Sequence, residues 1–207
     1  MAPLMVAKGS AAYKYFEKNT ILTSLQHGFK IQTDVGILDF MCAFDTVPHE
    51  RLLGKLASYG INGPLNTWIR SFLTSRSMAV VVDGEVSESV PVLSGVPQGT
   101  VLDPLLFLTY INDMPQEVSD GTFVRLFADD CLVYRPITSN EDQVILQRYL
   151  TALQNWAERW GMRFNPKKCY IMHIHRSQIQ TRMYVLCNEV LASVNKAKYL
   201  GITISVD

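Results

Sequence analysis

Two short apolar runs, Phe123 to Phe127 and Cys131 to Tyr134, are separated only by Ala128-Asp129-Asp130. Runs of this length with so brief a break read as neighbouring strands, and the break sets two acids at the strand junction. A third acid ends another apolar run, where Val35, Ile37 and Leu38 lead into Asp39. If these strands pair as neighbours, three carboxylates gather at one edge of a sheet. Like charges at about 4 Å cost roughly 4 kcal/mol per pair at an effective dielectric of 20, so protonation or a cation must relieve them. Hard divalent cations take oxygen ligands, and Mg²⁺ favours a few carboxylates plus substrate phosphates, the donor set of two-metal phosphoryl transfer. Taken alone, Asp129-Asp130 is better read as a polar hairpin turn, where Asp is common.

The rest of the chain supplies the frame for such an edge. Thr46 is expected to cap a helix with Leu52, Leu53, Leu56 and Tyr59 on one face and Gly60 at its end. A second helix starts at Pro64 and carries Leu65, Trp68, Ile69, Phe72 and Leu73 at helical spacing. Met78 to Val82 and Val86 to Val92 are β-rich runs joined by Asp83-Gly84, a type I′ hairpin signal. A third helix bears Leu102, Leu105, Leu106 and Ile111. A fourth runs from Asn140 to Trp160, with Asn140 and Gln143 as a capping pair, a stripe of Leu146, Leu150, Leu153 and Trp156, and Gly161 at its end. Cys169 to Ile174, Met183 to Leu186 and Tyr199 to Ile204 read as strands, and Ala12 to Leu25 as a helix of poor period. This order predicts an α+β domain with helices packed on one face of an antiparallel sheet.

Composition narrows the class. A chain of 207 residues that is 48% hydrophobic, 18% charged and of zero formal net charge is globular rather than disordered or fibrous. Cys42, Cys131, Cys169 and Cys187 form no C-x-x-C pair, so they are expected to be reduced thiols in an intracellular protein. The longest apolar run, Pro104 to Ile111, is far below the roughly 20 residues that span a bilayer. Charge is uneven: Arg159 to Arg182 holds six Lys or Arg and no acid, a stretch that could track phosphates or form a solvated strand and loop. His173 and His175 share a strand face near Cys169. No fourth ligand has zinc-site spacing, so they read as surface histidines rather than a metal site.

Three segments occur in a telling order: Leu38-Asp39-Phe40-Met41-Cys42-Ala43-Phe44-Asp45, Ser94-Gly95-Val96-Pro97-Gln98-Gly99 and Phe127-Ala128-Asp129-Asp130. With Val47-Pro48-His49, Tyr110-Ile111-Asn112-Asp113, Asn165-x-x-Lys168 and Tyr199-Leu200-Gly201, the series resembles the reverse transcriptases of non-LTR (LINE-like) retrotransposons, over roughly Gln26 to Gly201. The resemblance implies a polymerase palm and an RNA-directed DNA polymerase activity. Its partners would be an RNA template, a DNA primer and deoxynucleoside triphosphates, and its cofactor two Mg²⁺ ions, with Mn²⁺ able to substitute.

It also implies roles. Asp39, Asp129 and Asp130 become the catalytic metal ligands, with the carbonyl of Phe40 assisting. Phe44 becomes the wall against a sugar 2′-hydroxyl, Gln98 and Gly99 nucleotide contacts, Lys168 a cation near the triphosphate, and Tyr199, Leu200 and Gly201 a primer grip. Asp45 is expected to cap or brace the following helix. Against the family pattern, Met41-Cys42 replace Ser-Lys and Asp103 stands where glycine is usual. A long helical spacer is lacking after Gln26-His27-Gly28-Phe29, and an upstream arginine strand has no counterpart. The expectation is therefore a truncated fingers remnant over residues 1–34 and a palm over 35–207, without thumb or endonuclease and with doubtful activity, the alternative being a catalytically inactive retroelement remnant that acts at most as a nucleic-acid-binding or interaction module.

Overall fold

The computed structural model describes residues 31–175, 182–200 and 202–206. The helix expected at Ala12 to Leu25, nearly all of the fingers remnant, Gly201 and part of the basic stretch lie outside the described residues.

In chain order the elements are strand β1 (Gln32–Leu38), helices α1 (His49–Ser58) and α2 (Gly63–Thr74), strands β2 (Ser77–Met78), β3 (Val81–Val82), β4 (Glu85–Val86) and β5 (Val90–Pro91), and helix α3 (Asp103–Ile111). Strands β6 (Phe123–Phe127) and β7 (Asp130–Ile137), helix α4 (Asn140–Arg159) and strand β8 (Tyr170–Ile174) follow. The last strands are β9 (Val185–Leu186), β10 (Glu189–Val190), β11 (Ala192–Ser193), β12 (Lys196–Tyr199) and β13 (Ile202–Ser205). No described helix is long and apolar enough to cross a membrane.

The chain divides into two compact units. Among the described residues, one comprises 31–41, 113–159, 163–175, 182–200 and 202–206; the other comprises Cys42–Asn112 with Trp160–Met162. The first is built on a five-stranded sheet in the order β11-β8-β1-β7-β6. Its central strand, β1, is buried on both faces and pairs antiparallel with β7 and β8. The outer β11–β8 pair is parallel, so the sheet is mixed rather than wholly antiparallel. On one face lies α4, whose Leu146, Leu150, Leu153 and Trp156 are fully buried. On the other, Val35, Ile37, Leu132, Tyr134, Met172 and Ile174 form a core with Tyr199 and Ile204 of the β12–β13 hairpin. Burying each such aliphatic side chain contributes about 1.5–3 kcal/mol.

The helix α4 is capped one residue earlier than Asn140 and Gln143 suggested. Ser139 N–H donates to Asp142 Oδ2 (3.0 Å) and Asp142 N–H to Ser139 Oγ (3.4 Å), a reciprocal capping box, while Gln143 is buried. The run Tyr199 to Ile204 is not one strand. Tyr199 pairs with Ile202, and the chain turns at Leu200, whose φ is +51°. Met183 to Leu186 shortens to β9, which pairs with β10. His173 is buried rather than exposed, because its Nδ1 meets the fully buried Asp34 Oδ1 at 2.7 Å, and Tyr184 Oη donates to Asp34 Oδ2 at 2.6 Å.

In the second unit, α1 begins at His49 after Pro48, and no side chain caps it. The Thr46 hydroxyl instead donates back to the carbonyls of Cys42 (3.1 Å) and Ala43 (3.3 Å), closing the preceding turn. Tyr59 is exposed, and Lys55 takes a buried place on that helix, its ammonium over the Trp160 ring at 3.7 Å. Of the α2 stripe only Ile69 and Leu73 are buried; Leu65 and Trp68 face solvent. The expected hairpin forms at Asp83-Gly84, both of positive φ, broken into the short pairs β2–β5 and β3–β4 with exposed valines.

Candidate active site

The register of β1 against β7 ends with Leu38 opposite Cys131. The next residues outward, Asp39 and Asp130, therefore lie at the same end of these two strands. Across β7, Phe127 pairs with Asp130, so Ala128 and Asp129 form a two-residue turn. Ala128 has a φ of +53°, a left-handed conformation that costs a non-glycine residue roughly 1–2 kcal/mol. This strained turn carries Asp129 at its tip.

Asp39 is held by its backbone. Its N–H donates to Cys169 Sγ (3.3 Å), and its carbonyl accepts from Asn165 N–H (2.8 Å) and from the Cys169 thiol (3.6 Å). The Asn165-x-x-Lys168 turn thus docks on the end of β1 and brings Lys168 Nζ to 3.8 Å from Asp39 Oδ1. Phe40 is buried and its ring stacks on Phe164, with centroids 4.4 Å apart. Desolvation raises the pKa of Asp39; Lys168 opposes that rise and the charge of Asp129 adds to it, leaving it above the usual carboxylate value. Burial also pushes the Cys169 thiol up to about 11, so it stays protonated and able to donate.

Among the described residues no group of three His, Cys, Asp or Glu side chains is placed to hold a metal ion. The electrostatic pair is Asp39 with Asp129, both half-buried, while Asp130 is exposed. Two neighbouring carboxylates are hard oxygen donors, the kind of ligand that divalent cations take.

The second unit holds the other candidates. Phe44 stacks on Phe107, centroids 4.3 Å apart and planes at 23°. The Gly95–Gly99 loop is zipped onto the segment after Cys42: Gly95 N–H donates to Val47 O (2.8 Å), Val96 N–H to Phe44 O (2.9 Å) and Ser94 Oγ to Asp45 O (2.8 Å). The carbonyl of Gly95 is held by His49 Nε2 and Arg76 Nη2, each at 2.9 Å. Gln98 Nε2 donates to Asp45 Oδ1 (2.9 Å), and Gly99 N–H to Asp103 Oδ2 (2.8 Å). Asp45 therefore braces the loop rather than the helix after it. Asp103 is buried, and its carboxylate fixes the loop while its N–H donates to the Thr100 hydroxyl oxygen at 3.2 Å.

Tyr199 is buried in the sheet core and Leu200 packs against it; Gly201 lies outside the described residues. Sequence reasoning missed Cys169 and Asn165 as supports of Asp39, and Asp103 as the support of Gly99. Cys169 carried no signal, since its contact is with backbone. Asp103 did: Thr100-x-x-Asp103 ahead of an apolar run is a capping pattern.

The chain matches the family described as reverse transcriptase (RNA-dependent DNA polymerase) over residues 16–204. It is 34% identical over 177 residues to the RNA-directed DNA polymerase from mobile element jockey of Drosophila melanogaster, a match covering 81% of this chain and 19% of that protein. It is 28% identical over 206 residues to the Pol polyprotein of the type-1 retrotransposable element R2 of Popillia japonica, covering 87% and 33%. The chain spans about a fifth of the length of the first curated relatives it matches. Among solved structures it is similar to telomerase of Candida tropicalis in complex with a fragment of telomeric RNA, with a TM-score of 0.65, 11% identity, and coverage of 92% of this chain and 32% of that one. Telomerase of Candida albicans gives a TM-score of 0.62 at 13% identity, covering 95% and 34%. The α+β fold is thus that of a polymerase palm, and the chain belongs to the reverse transcriptase family.

Proposed function

We propose that this chain carries the palm of an RNA-directed DNA polymerase, whose reaction is template-directed transfer of a deoxynucleotide to a primer 3′-OH. The observation that carries this reading is the register that sets Asp39 and the Asp129 turn at the same end of β1, β7 and β6, where burial, with the charge of Asp129 adding to it, raises the pKa of Asp39. Opposed carboxylates of that kind are what divalent cations neutralise. Asp39 and Asp129 are the proposed holders of two Mg²⁺ ions, with Asp130 and the Phe40 carbonyl beside them, and Mn²⁺ able to substitute. When bound, the ions supply Lewis-acid activation of the 3′-OH and charge stabilisation at the transferred phosphoryl group.

The chain's own residues bind and orient. Lys168 offers an ammonium to the leaving pyrophosphate. Phe44 walls off the 2′ position, and Gln98 with Gly99 contacts the incoming nucleotide and template. The turn Tyr199-Leu200-Gly201 holds the primer end. The partners are an RNA template, a DNA primer and deoxynucleoside triphosphates in an intracellular setting, with residues 1–34 belonging to the fingers and 35–207 to the palm.

Addition of dTMP to oligo(dT) on poly(rA) by the purified chain tests this, in parallel with D39N and D129N. Short, Mg²⁺-dependent extension that both substitutions abolish is the expected result. Extension that survives either substitution, or no extension with either Mg²⁺ or Mn²⁺, overturns the reading.

A further inference from the structure

We infer that Asp45 is a positioning residue that sets the amide of Gln98, so that one defined edge of that amide is presented to nucleotide and template; this rests on the contact proposed above for Gln98. A glutamine amide has a donor edge and an acceptor edge that a half-turn of the last side-chain bond exchanges, and a solvent-exposed amide has little to choose between them. An ionised carboxylate only accepts. The 2.9 Å contact between Gln98 and Asp45 Oδ1 therefore requires the NH₂ group to face Asp45, which turns the amide oxygen away from it.

An exposed hydrogen bond alone fixes little, but here the backbones that carry the two side chains are already bound together. Ser94 Oγ donates to the Asp45 carbonyl, Val96 N–H to the carbonyl of the preceding Phe44, and Gly95 N–H to Val47. Gly95 packs so tightly on Asp45 that a Cβ there would lie 2.8 Å from Asp45 Cα. His49 and Arg76 also hold the Gly95 carbonyl. The entropy of bringing the two side chains together is spent in folding the loop, so the charge-assisted bond acts on the amide orientation itself.

The test is a double-mutant cycle on KM for dTTP in the extension assay, with the wild-type chain, D45A, Q98A and the double variant, together with the side-chain amide ¹⁵N–¹H signals of Gln98 in the chain without metal or nucleotide. If Asp45 acts through Gln98, D45A raises KM by about three- to tenfold in the wild-type background, leaves kcat and Tm nearly unchanged, and has no effect once Gln98 is alanine. One Gln98 amide proton should be displaced downfield in the wild-type chain and return toward the free-amide position in D45A, with the isosteric D45N as a control for folding. Equal cost of D45A in both backgrounds, or a Gln98 amide signal unchanged by D45A, overturns the inference while leaving the role of Gln98 intact. A Q98A chain with wild-type KM removes the nucleotide contact itself, and the inference falls with it.

Discussion

Lys168 Nζ lies 3.8 Å from Asp39 Oδ1, yet the pKa of Asp39 is raised, because desolvation and the charge of Asp129 together outweigh that one favourable neighbour. An acid whose pKa is raised on folding opposes the folded state when ionised. That opposition is full above the raised value and disappears as pH falls below the ordinary 3.8. Asp39→Asn should therefore raise Tm at pH 7, show no such gain near pH 3, and remove Mn²⁺ binding measured by water-proton relaxation. Calorimetry at the two pH values checks the sign; a lower Tm at pH 7 would mean that Asp39 stabilises the fold.

Asp142 has the opposite character. Desolvation raises its pKa, but the Thr138 hydroxyl and N–H, the Arg135 guanidinium and the Ser139 hydroxyl outweigh it, and the net is well below the usual carboxylate range. Its contribution is complete above the ordinary carboxylate value and fades as pH falls below it. Asp142→Asn leaves the mostly buried Arg135 (9% exposed) without its carboxylate and opens the cap of α4, at a cost of about 3 kcal/mol. Urea denaturation at pH 7 measures it; a cost under about 1 kcal/mol would show that Asp142 behaves as a surface ion pair.

Gly95 and Gly99 both have φ near +85° but differ in their surroundings. A Cβ on Gly95 meets Asp45 Cα and carbonyl O at 2.8 Å, whereas one on Gly99 meets nothing within 4 Å. Gly99→Ala should cost only about 1–2 kcal/mol for the left-handed backbone. Gly95→Ala adds the steric conflict and should cost about 3 kcal/mol or more. Equal destabilisation of the two variants would mean that the loop moves off Asp45 freely.

Phe44 stacks on Phe107, so its ring is fixed before any nucleotide arrives. Phe44→Val should lower discrimination between dTTP and UTP by at least about tenfold, a change of roughly 1.4 kcal/mol, in a primer-extension competition. Phe107→Leu, which loosens the ring without removing it, should lower discrimination less. If both variants lose stability and neither changes sugar choice, Phe44 is a packing residue only.

Much of the frame was legible because apolar period survives folding. The strand before Asp39, the acid-bearing hairpin turn, Asp83-Gly84 and the apolar stripe of α4 all lie where the pattern put them. What pattern did not carry is pairwise chemistry. Thr46 and Ser139 are both residues that cap helices, but only a view of Asp142 three residues on distinguishes the true cap, and Thr46 spends its hydroxyl on a turn behind it. The strand Tyr199 to Ile204 hid a reversal at Leu200, a residue type that gives no turn signal. His173 looked like a surface histidine because its hydrogen-bond partner, Asp34, lies 139 residues away in sequence.

The central strand β1 also sets a timetable. Val35 finds Tyr134 on one side and Met172 on the other, so the partners of β1 leave the ribosome about a hundred residues or more after it does. At translation rates of about 5–20 residues per second that is a wait of roughly 5–20 s for the first neighbour and longer for the second. Through that interval an apolar segment has both hydrogen-bonding edges bare, the condition under which strands pair with the wrong chain. Recombinant pieces that stop short of Ile174 would make the wait permanent on one edge, and the yield of soluble protein should step up once β8 is included.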